Sequence, residues 1–258
     1  MLAAAAVASP PDGKPAITGT NIGGWLVLEP WITPSLFYRF LGKSKGEVGM
    51  DSWTFCEALG PEEGNRIMRS HYENWVTEKD IKDLADREVK IIRVPVGDWT
   101  FNPYGPYVGC MDGAEDKISW LLDTAEAHGI MVWLDVHAMK GSQNGFDNSG
   151  VANKTIWSDE NNFTHWPNQA GEWVGPWNAD KKEYDYIDWY QIKWAEDMTT
   201  DLVNKWGKHK AVYGIEPINE PWEFTPLDVL KDFYRKTRRI IKDVNPDLKF
   251  IFHESFRF

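Results

Sequence analysis

Asn219 and Glu220 are the residues whose types and spacing most clearly offer chemistry. They follow the apolar, β-prone half of the stretch 213–222 and precede Pro221 and an aromatic residue. A buried strand that ends in a polar pair presents both side chains at its carboxyl end, where parallel α/β sheets and barrels carry their active sites. The Glu220 carboxyl group can act there as a general acid, and the Asn219 amide can hold a substrate hydroxyl. The alternative is an ordinary acidic loop after a strand.

Polar side chains recur at the ends of the other predicted strands: Glu29, Arg93, His137 and His253. Arg93 stands in an apolar run and cannot lose its charge, so it must find a carboxylate partner, either in a structural ion pair or in a site. His137 is a potential zinc ligand, but no second ligand lies at a suitable spacing, and we expect no metal. Function spread over several strand ends is typical of a (β/α)8 barrel.

Strand and helix patterns alternate along the chain, which predicts an α/β fold with a parallel sheet. Strands are predicted at 17–22, 89–96, 130–137, 213–218 and 248–252, and helices at 61–75, 112–128 and 186–206. Thr77 is expected to cap a further helix with Asp80 in a capping box, and Thr225 to cap another with Pro226 at its first position. The segment 139–182 has little periodicity, and so long a loop is usually functional.

Composition excludes several classes of function. The 258 residues carry a net charge of −11 with no basic block, which disfavours nucleic acid as a partner. No apolar run approaches the ~20 residues that span a membrane. Neither a dinucleotide fingerprint nor a phosphate-binding loop is present, and we expect no cofactor. Many of the 15 Trp stand in polar loops, where an indole face can stack on a sugar ring; core packing is the alternative. They include Trp157, Trp166, Trp173 and Trp177.

The N-terminal residues 1–16 are predicted to be a leader remnant or a disordered terminus, because small apolar residues precede a possible cleavage site after Ala8. Two glycosylation sequons, at Asn153 and Asn162, favour a secreted glycoprotein. Cys56 and Cys110 are too few for a disulfide framework. One bridge or two buried free thiols both remain open.

The motifs resemble those of exo-β-1,3-glucanases of glycoside hydrolase family 5. The stretches 21–30 (Asn-Ile-Gly-Gly-Trp-Leu-Val-Leu-Glu-Pro) and 33–37 are similar to the opening of these enzymes, and 141–150 is similar to one of their loops. The broader family pattern is matched at Arg93-Val-Pro-Val, at His137 and at Asn219-Glu220-Pro221. The resemblance runs from about Ile17 to the last residue.

This resemblance implies a retaining hydrolase with a (β/α)8 TIM barrel. By resemblance Glu220 is the acid/base, and Asn219 binds the sugar 2-hydroxyl. Arg93 orients the nucleophilic carboxylate, and His137 lines the −1 subsite.

The resemblance also implies substrate-binding residues. Glu29, Asp147 and Asn148 would bind hydroxyls of the terminal glucose. Phe146 and Phe256 would form an aromatic entrance that grips the next sugar.

Several positions depart from the family. The segment 152–184 does not follow the family, and Glu254 stands where an aspartate is expected. His253, by contrast, matches a strand-end histidine of the family, and we count it with the substrate-binding residues. The nucleophile is expected beyond Phe258. We therefore expect residues 17–258 to be the N-terminal part of a catalytic domain, with the first five β/α units of the barrel and no turnover alone.

The leading functional hypothesis is release of glucose from β-1,3-glucan by a secreted or cell-wall enzyme that is a monomer when complete. One alternative is another family 5 β-glycanase such as an endo-β-1,4-glucanase. The other is a truncated, non-catalytic glucan-binding protein.

Overall fold

The computed structural model describes residues 17–44, 46–153, 155–158 and 166–256. The predicted leader segment 1–16, the sequon at Asn162 and the last two residues lie outside these ranges.

Five parallel strands form the central sheet and lie in chain order from one edge to the other. They are β1 (Gly19–Asn21), β2 (Ile91–Gly97), β3 (Met131–Ala138), β4 (Val212–Glu216) and β5 (Lys249–Phe250). All four neighbouring pairs are parallel. The predicted α/β architecture with a parallel sheet is confirmed, although β1 and β5 are shorter than predicted.

Helices alternate with these strands: α1 (Pro34–Phe37), α2 (Ser52–Trp75), α3 (Glu78–Asp86), α4 (Ala114–Ala127), α5 (Trp189–Trp206) and α6 (Leu227–Val244). Short 3-10 turns lie at Tyr38–Phe40, Gly105–Tyr107 and Asp147–Ser149. Within the described part of the chain, no helix is both long and apolar enough to cross a bilayer.

The helix starts test the capping predictions. Thr77 caps α3, and Asp80 returns the reciprocal hydrogen bond of a capping box, as predicted. The prediction for α6 was wrong, because Pro226 occupies the N-cap position and the helix begins at Leu227. The backbone N–H of Thr225 donates to the carbonyl of Trp222 (3.0 Å), so Thr225 belongs to the turn that closes the preceding segment.

Helix α2 begins nine residues earlier than predicted and is broken at Gly60. Asp51 caps its start and forms a capping box with Thr54. Gly60 has a φ of 70°, a left-handed conformation that glycine adopts without a steric cost. Pro61 restarts the helix, where its missing N–H leaves no intrahelical hydrogen bond unmade.

The core lies between the sheet and its helices. Val94 and Val96 in β2, and Leu134 and Val136 in β3, are fully buried. They share one face of the sheet and belong to the same apolar core as Ile118 in α4 and Phe233 in α6. Trp173 is also buried, and its ring packs on Phe233 at 5.2 Å, so it is a core residue and not a sugar-stacking one.

The predicted long loop after β3 contains short regular elements. Thr155–Ser158 pairs antiparallel with Trp166–Gln169, and Trp177–Asn178 pairs antiparallel with Glu183–Tyr184. Trp177 packs against Trp222 at 4.7 Å, which fixes the second hairpin beside the segment that carries Glu220.

A disulfide joins Cys56 in α2 to Cys110, so the alternative of two free thiols is excluded. The close packing around it includes Gly64, where an added Cβ would lie 2.5 Å from the Cys110 sulfur. The bridge ties α2 to the segment between β2 and α4.

Replacing both cysteines with serine should lower the free energy of unfolding by roughly 2–4 kcal/mol, because a crosslink of 54 residues restricts the unfolded chain. Equilibrium urea denaturation measures the loss. Wild-type protein in reductant is the matched control and should fall by the same amount. Identical midpoints with and without the bridge would contradict a stabilising role.

Candidate active site

The guanidinium group of Arg93, on β2, contacts residues on three other strands, β1, β3 and β4. Its Nε donates to Glu216 Oε2 (3.0 Å), and its Nη2 donates to Asn219 Oδ1 (2.7 Å) and pairs with Asp135 Oδ2 (3.0 Å). Its Nη1 donates to Asn21 Oδ1 (3.2 Å). The predicted carboxylate partner of Arg93 is confirmed, and there are two.

Strand register explains this meeting. Arg93 lies opposite Trp133 in the β2–β3 pair, and Asp135 lies opposite Glu216 in the β3–β4 pair. The guanidinium carbon lies 5.3 Å from the Trp133 ring centroid, so the cation rests on the aromatic face while its edges donate to oxygen atoms. Parallel pairing therefore places one cation against acids from two neighbouring strands.

His137 is anchored by the same aspartate. Its Nδ1 lies 2.5 Å from Asp135 Oδ2, and its backbone carbonyl accepts a hydrogen bond from Gln143 Nε2 (2.7 Å). A carboxylate only accepts, so Nδ1 carries a proton; in a neutral imidazole, Nε2 would then keep a lone pair. Nε2 is buried and has no partner among the described residues. It can accept a hydrogen bond from a ligand hydroxyl.

Asn219 is oriented by Arg93. Its Oδ1 accepts from the guanidinium, and its backbone N–H donates to the carbonyl of Val136 (3.0 Å). Its Nδ2 is buried and has no partner within the described ranges. A buried donor without an acceptor costs about 1–3 kcal/mol, and a ligand hydroxyl can remove that cost.

Glu220 follows with a backbone φ of 44°, which is uncommon for a residue with a side chain. Such strain costs on the order of 1–3 kcal/mol and concentrates at functional sites. Its Oε2 accepts from Asn144 Nδ2 (3.2 Å) and, at 3.5 Å, from Asn148 Nδ2. Asn144 also donates to Asn148 Oδ1 (3.1 Å), so both amides hold the carboxyl group.

The loop that carries these amides is built by its own hydrogen bonds. Ser142 Oγ contacts the Ser149 hydroxyl and accepts from the N–H of Gly145 (2.6 Å). The backbone N–H of Trp222 donates to the carbonyl of Gln143 (2.9 Å) and joins the loop to the Glu220 segment. These contacts fix Asn144 beside Glu220.

A buried acid and a caged lysine anchor the start of the loop. Asp98 accepts from the Lys140 N–H (2.7 Å) and from the Tyr104 hydroxyl (2.9 Å). The Lys140 ammonium lies 4.1 Å from the Trp194 ring, 4.4 Å from Tyr104 and 5.4 Å from Tyr190. Burial raises the pKa of Asp98 to about 7, against the opposing hydrogen bonds.

Phe146 and Asp147, two further predicted binding residues, lie in this loop. The Phe146 residue is 43% exposed. Asp147 is half-buried, and burial raises the pKa of its carboxyl group.

Glu29, His253 and Phe256 lie in other segments. Glu29 Oε1 accepts the backbone N–H of Gly24 (3.0 Å), which closes its own loop. The rings of His253 and Phe256 lie 5.1 Å apart, and Tyr234 donates to the His253 carbonyl. Arg93, His137 and Asn219 are joined directly or through Asp135, and Glu220, the next residue after Asn219, contacts Asn148. Glu29, His253 and Phe256 contact their own surroundings instead.

Sequence reasoning missed Asp135, Glu216, Asn144 and Asp98. Asp135 and Glu216 are charged residues inside apolar strands. A charge in an apolar run is the signal that identified Arg93, so the same reasoning could have identified these two acids. Asn144 and Asp98 carry no comparable signal, because polar residues are ordinary in loops and after strands.

Compared with models of known protein families, the sequence matches none. It is similar to a glucan 1,3-beta-glucosidase 1 of Schizosaccharomyces pombe, with 32% identity over 93% of this chain and 52% of the relative. It is also similar to a glucan 1,3-beta-glucosidase of Yarrowia lipolytica, with 32% identity over 95% of this chain and 52% of the relative. The chain thus spans about half the length of the curated relatives it matches.

The fold is shared with a solved structure of a rutinosidase from Aspergillus niger. The TM-score is 0.68 at 19% identity, over 93% of this chain and 63% of that one. The resemblance inferred from the sequence motifs is confirmed to this extent: nearly the whole chain is similar to fungal proteins named glucan 1,3-beta-glucosidase.

Proposed function

We propose that the chain provides the acid/base half of a retaining glycoside hydrolase that releases glucose from β-1,3-glucan. The observation that carries this is the arrangement at the end of β4. The strained Glu220 is held there by amides, beside a buried Asn219 Nδ2 that has no partner among the described residues. The names of the relatives supply the substrate class.

Glu220 acts twice in this reaction. As an acid it donates a proton to the glycosidic oxygen while the bond to the sugar breaks, and as a base it then takes a proton from the attacking water. Asn219 Nδ2 donates to the sugar 2-hydroxyl, and His137 Nε2 accepts from a neighbouring hydroxyl. Arg93 holds the Asn219 amide in the orientation that makes this donation possible.

Exo action is a further part of this proposal, motivated by Glu29 and by the loop that carries Phe146, Asp147 and Asn148. We assign Glu29, Asp147 and Asn148 to the hydroxyls of the terminal glucose, and Phe146 and Phe256 to the next sugar. A longer chain in this position would leave these half-buried carboxyl and amide groups without the hydroxyls assigned to them, which costs on the order of a few kcal/mol.

The nucleophile belongs, in this proposal, to the length of the relatives that the chain does not cover. A retaining enzyme needs two carboxylates about 5–5.5 Å apart. Five parallel strands in chain order are compatible with part of an eight-stranded barrel, in which later strands close the ring. Glu254 is exposed and follows β5, the neighbour of the strand that carries Glu220.

A secreted or cell-wall location is supported by the disulfide, because such bonds persist in oxidising compartments. The sequon at Asn153 gives no support in this conformation. Its Nδ2 donates to the carbonyls of Ala170 (2.6 Å) and Gly141 (3.3 Å), so the atom that a glycan would modify is engaged.

A glucan-binding protein without turnover is the second candidate, because the buried Asn219 Nδ2 and His137 Nε2, which have no partner among the described residues, could bind sugar hydroxyls without any reaction. Residues 1–258 alone should bind laminarin without hydrolysing it. Reducing-sugar release from laminarin and aryl β-glucosides measures turnover. Activity that disappears in Glu254→Gln would contradict the proposal and assign the nucleophile to Glu254.

In any longer form that is active, Glu220→Gln should lose most activity on laminarin, by about 100-fold or more, because the amide cannot donate the proton. Aryl β-glucosides with activated leaving groups need less acid assistance and should lose less in the first step. Glu62→Gln, at an exposed position, is the matched control. Laminarin hydrolysis at the wild-type rate would remove Glu220 from the mechanism.

Glucose should be the first product from laminarin in the same enzyme, since the proposal assigns Glu29, Asp147 and Asn148 to the hydroxyls of a single terminal glucose. Chromatography of early time points measures this. An initial spread of long oligosaccharides would contradict exo action, and preferential release from cellulose would instead favour an endo-β-1,4-glucanase.

A further inference from the structure

Two acids lie side by side beneath the candidate site with one permanent cation. Asp135 is 0% exposed and Glu216 is 2% exposed, and they are register partners on β3 and β4. Arg93 pairs with both of them. Two carboxylates and one guanidinium would leave an excess negative charge away from water, which is costly. A proton on one of the acids removes that charge.

The hydrogen bonds indicate where the proton goes. Asp135 Oδ2 is engaged with Arg93 and with His137, whereas Asp135 Oδ1 is buried and has no partner among the described residues. Glu216 uses Oε2 for both contacts with Arg93. Its other oxygen can carry a proton, and the unsatisfied Oδ1 across the strand pair can accept it.

We propose that Asp135 and Glu216 hold one shared proton, and that this carboxyl–carboxylate pair positions the polar groups above it. Those groups are Arg93, Asn219 and His137. The shared proton stands on the geometry of the buried pair; the statement that the positioned groups bind a sugar rests on the proposed function.

The charged and titratable groups that face Glu216 come from three elements. They are Arg93 on β2, Asp135 and through it His137 on β3, and Tyr234 on α6. Burial first, and then Asp135, raises the pKa of Glu216 to about 8, against the opposing effect of Arg93. Burial also raises the pKa of Tyr234, so that phenol stays neutral.

His137 is the other possible holder of the proton. An imidazolium would turn Nε2 into a donor that is buried without a partner, and Asp135 Oδ1 would still lack a donor. Protonation of the acid pair satisfies Oδ1 and leaves Nε2 as an acceptor. The structure therefore favours the acid pair.

The shared proton determines how Arg93 is used. With it, a single negative charge on Asp135 faces both Arg93 and His137 Nδ1–H. Without it, two carboxylates compete for the guanidinium, which then holds Asn219 less firmly. Asp135 and Glu216 are thus positioning residues, which act on a ligand through Arg93, Asn219 and His137.

The direct test is a carboxyl ¹³C NMR titration of residues 1–258 labelled at glutamate, in which the signal lost in Glu216→Gln identifies Glu216. We expect Glu216 to titrate near pH 8. A Glu216 that titrates near its ordinary value of 4.5, together with an imidazolium ¹⁵N signal of His137 at pH 7, would overturn the proposal.

Stability against pH provides an independent measurement. A pKa that is raised in the folded state gives stability that is present below about pH 4.5 and lost as pH rises to about 8. Over that window, each added pH unit should raise the unfolding equilibrium constant of the wild type by about ten times the factor seen in Glu216→Gln. Asp98→Asn is the matched control: it removes a different buried acid and should leave the Glu216 titration in place. Equal slopes in wild type and Glu216→Gln would contradict the shared proton.

Binding separates this inference from the proposed function. Wild-type affinity for laminari-oligosaccharides, measured by calorimetry, should fall by about five- to tenfold above pH 8, the equivalent of one hydrogen bond, and the fall should be absent in Glu216→Gln. A Glu216 titration near pH 8 without any glucan binding would retain the shared proton and reject the proposed ligand. Binding with no such titration would reject the shared proton alone.

Discussion

The charge of Arg93 is the constraint on which the site depends. A guanidinium cannot be neutralised by losing a proton, so a strand that buries one must bring acceptors to it. Neighbouring strands supply Asp135 and Glu216, and the turn after β4 supplies the Asn219 amide. The Asn219 side chain is thus positioned by its hydrogen bond to the Arg93 guanidinium as well as by the path of its backbone.

Two levels of support follow from this centre. The strands fix the lower layer, in which charged groups neutralise each other away from water. The loop after β3 fixes the upper layer, in which the amides of Asn144 and Asn148 hold the Glu220 carboxyl group. The start of that loop is held by the aromatic rings around the Lys140 ammonium and by the hydrogen bond from the Lys140 N–H to Asp98. The loop that holds Glu220 is therefore itself anchored to the rest of the fold.

Much of the fold was predictable from the sequence because its signals are local. Apolar runs predicted the strands, and the Thr77–Asp80 spacing predicted the start of α3. Thr225 misled because the same hydroxyl type also suits a turn, and only the backbone hydrogen bond to Trp222 distinguishes the two. Trp173 misled because a polar sequence neighbourhood does not show which side chain turns inward. The disulfide and the acid pair join residues far apart in the chain, and no local pattern reports such a meeting.

The positive φ of Glu220 has a consequence for how the sequence was selected. Glycine would relax this backbone, so folding stability alone would favour glycine at position 220. The chain instead has a glutamate there, although its backbone conformation favours glycine, and the Asn144 and Asn148 amides donate hydrogen bonds to its carboxyl group. A stability optimisation would thus favour replacing the residue to which the proposed mechanism assigns the proton transfer.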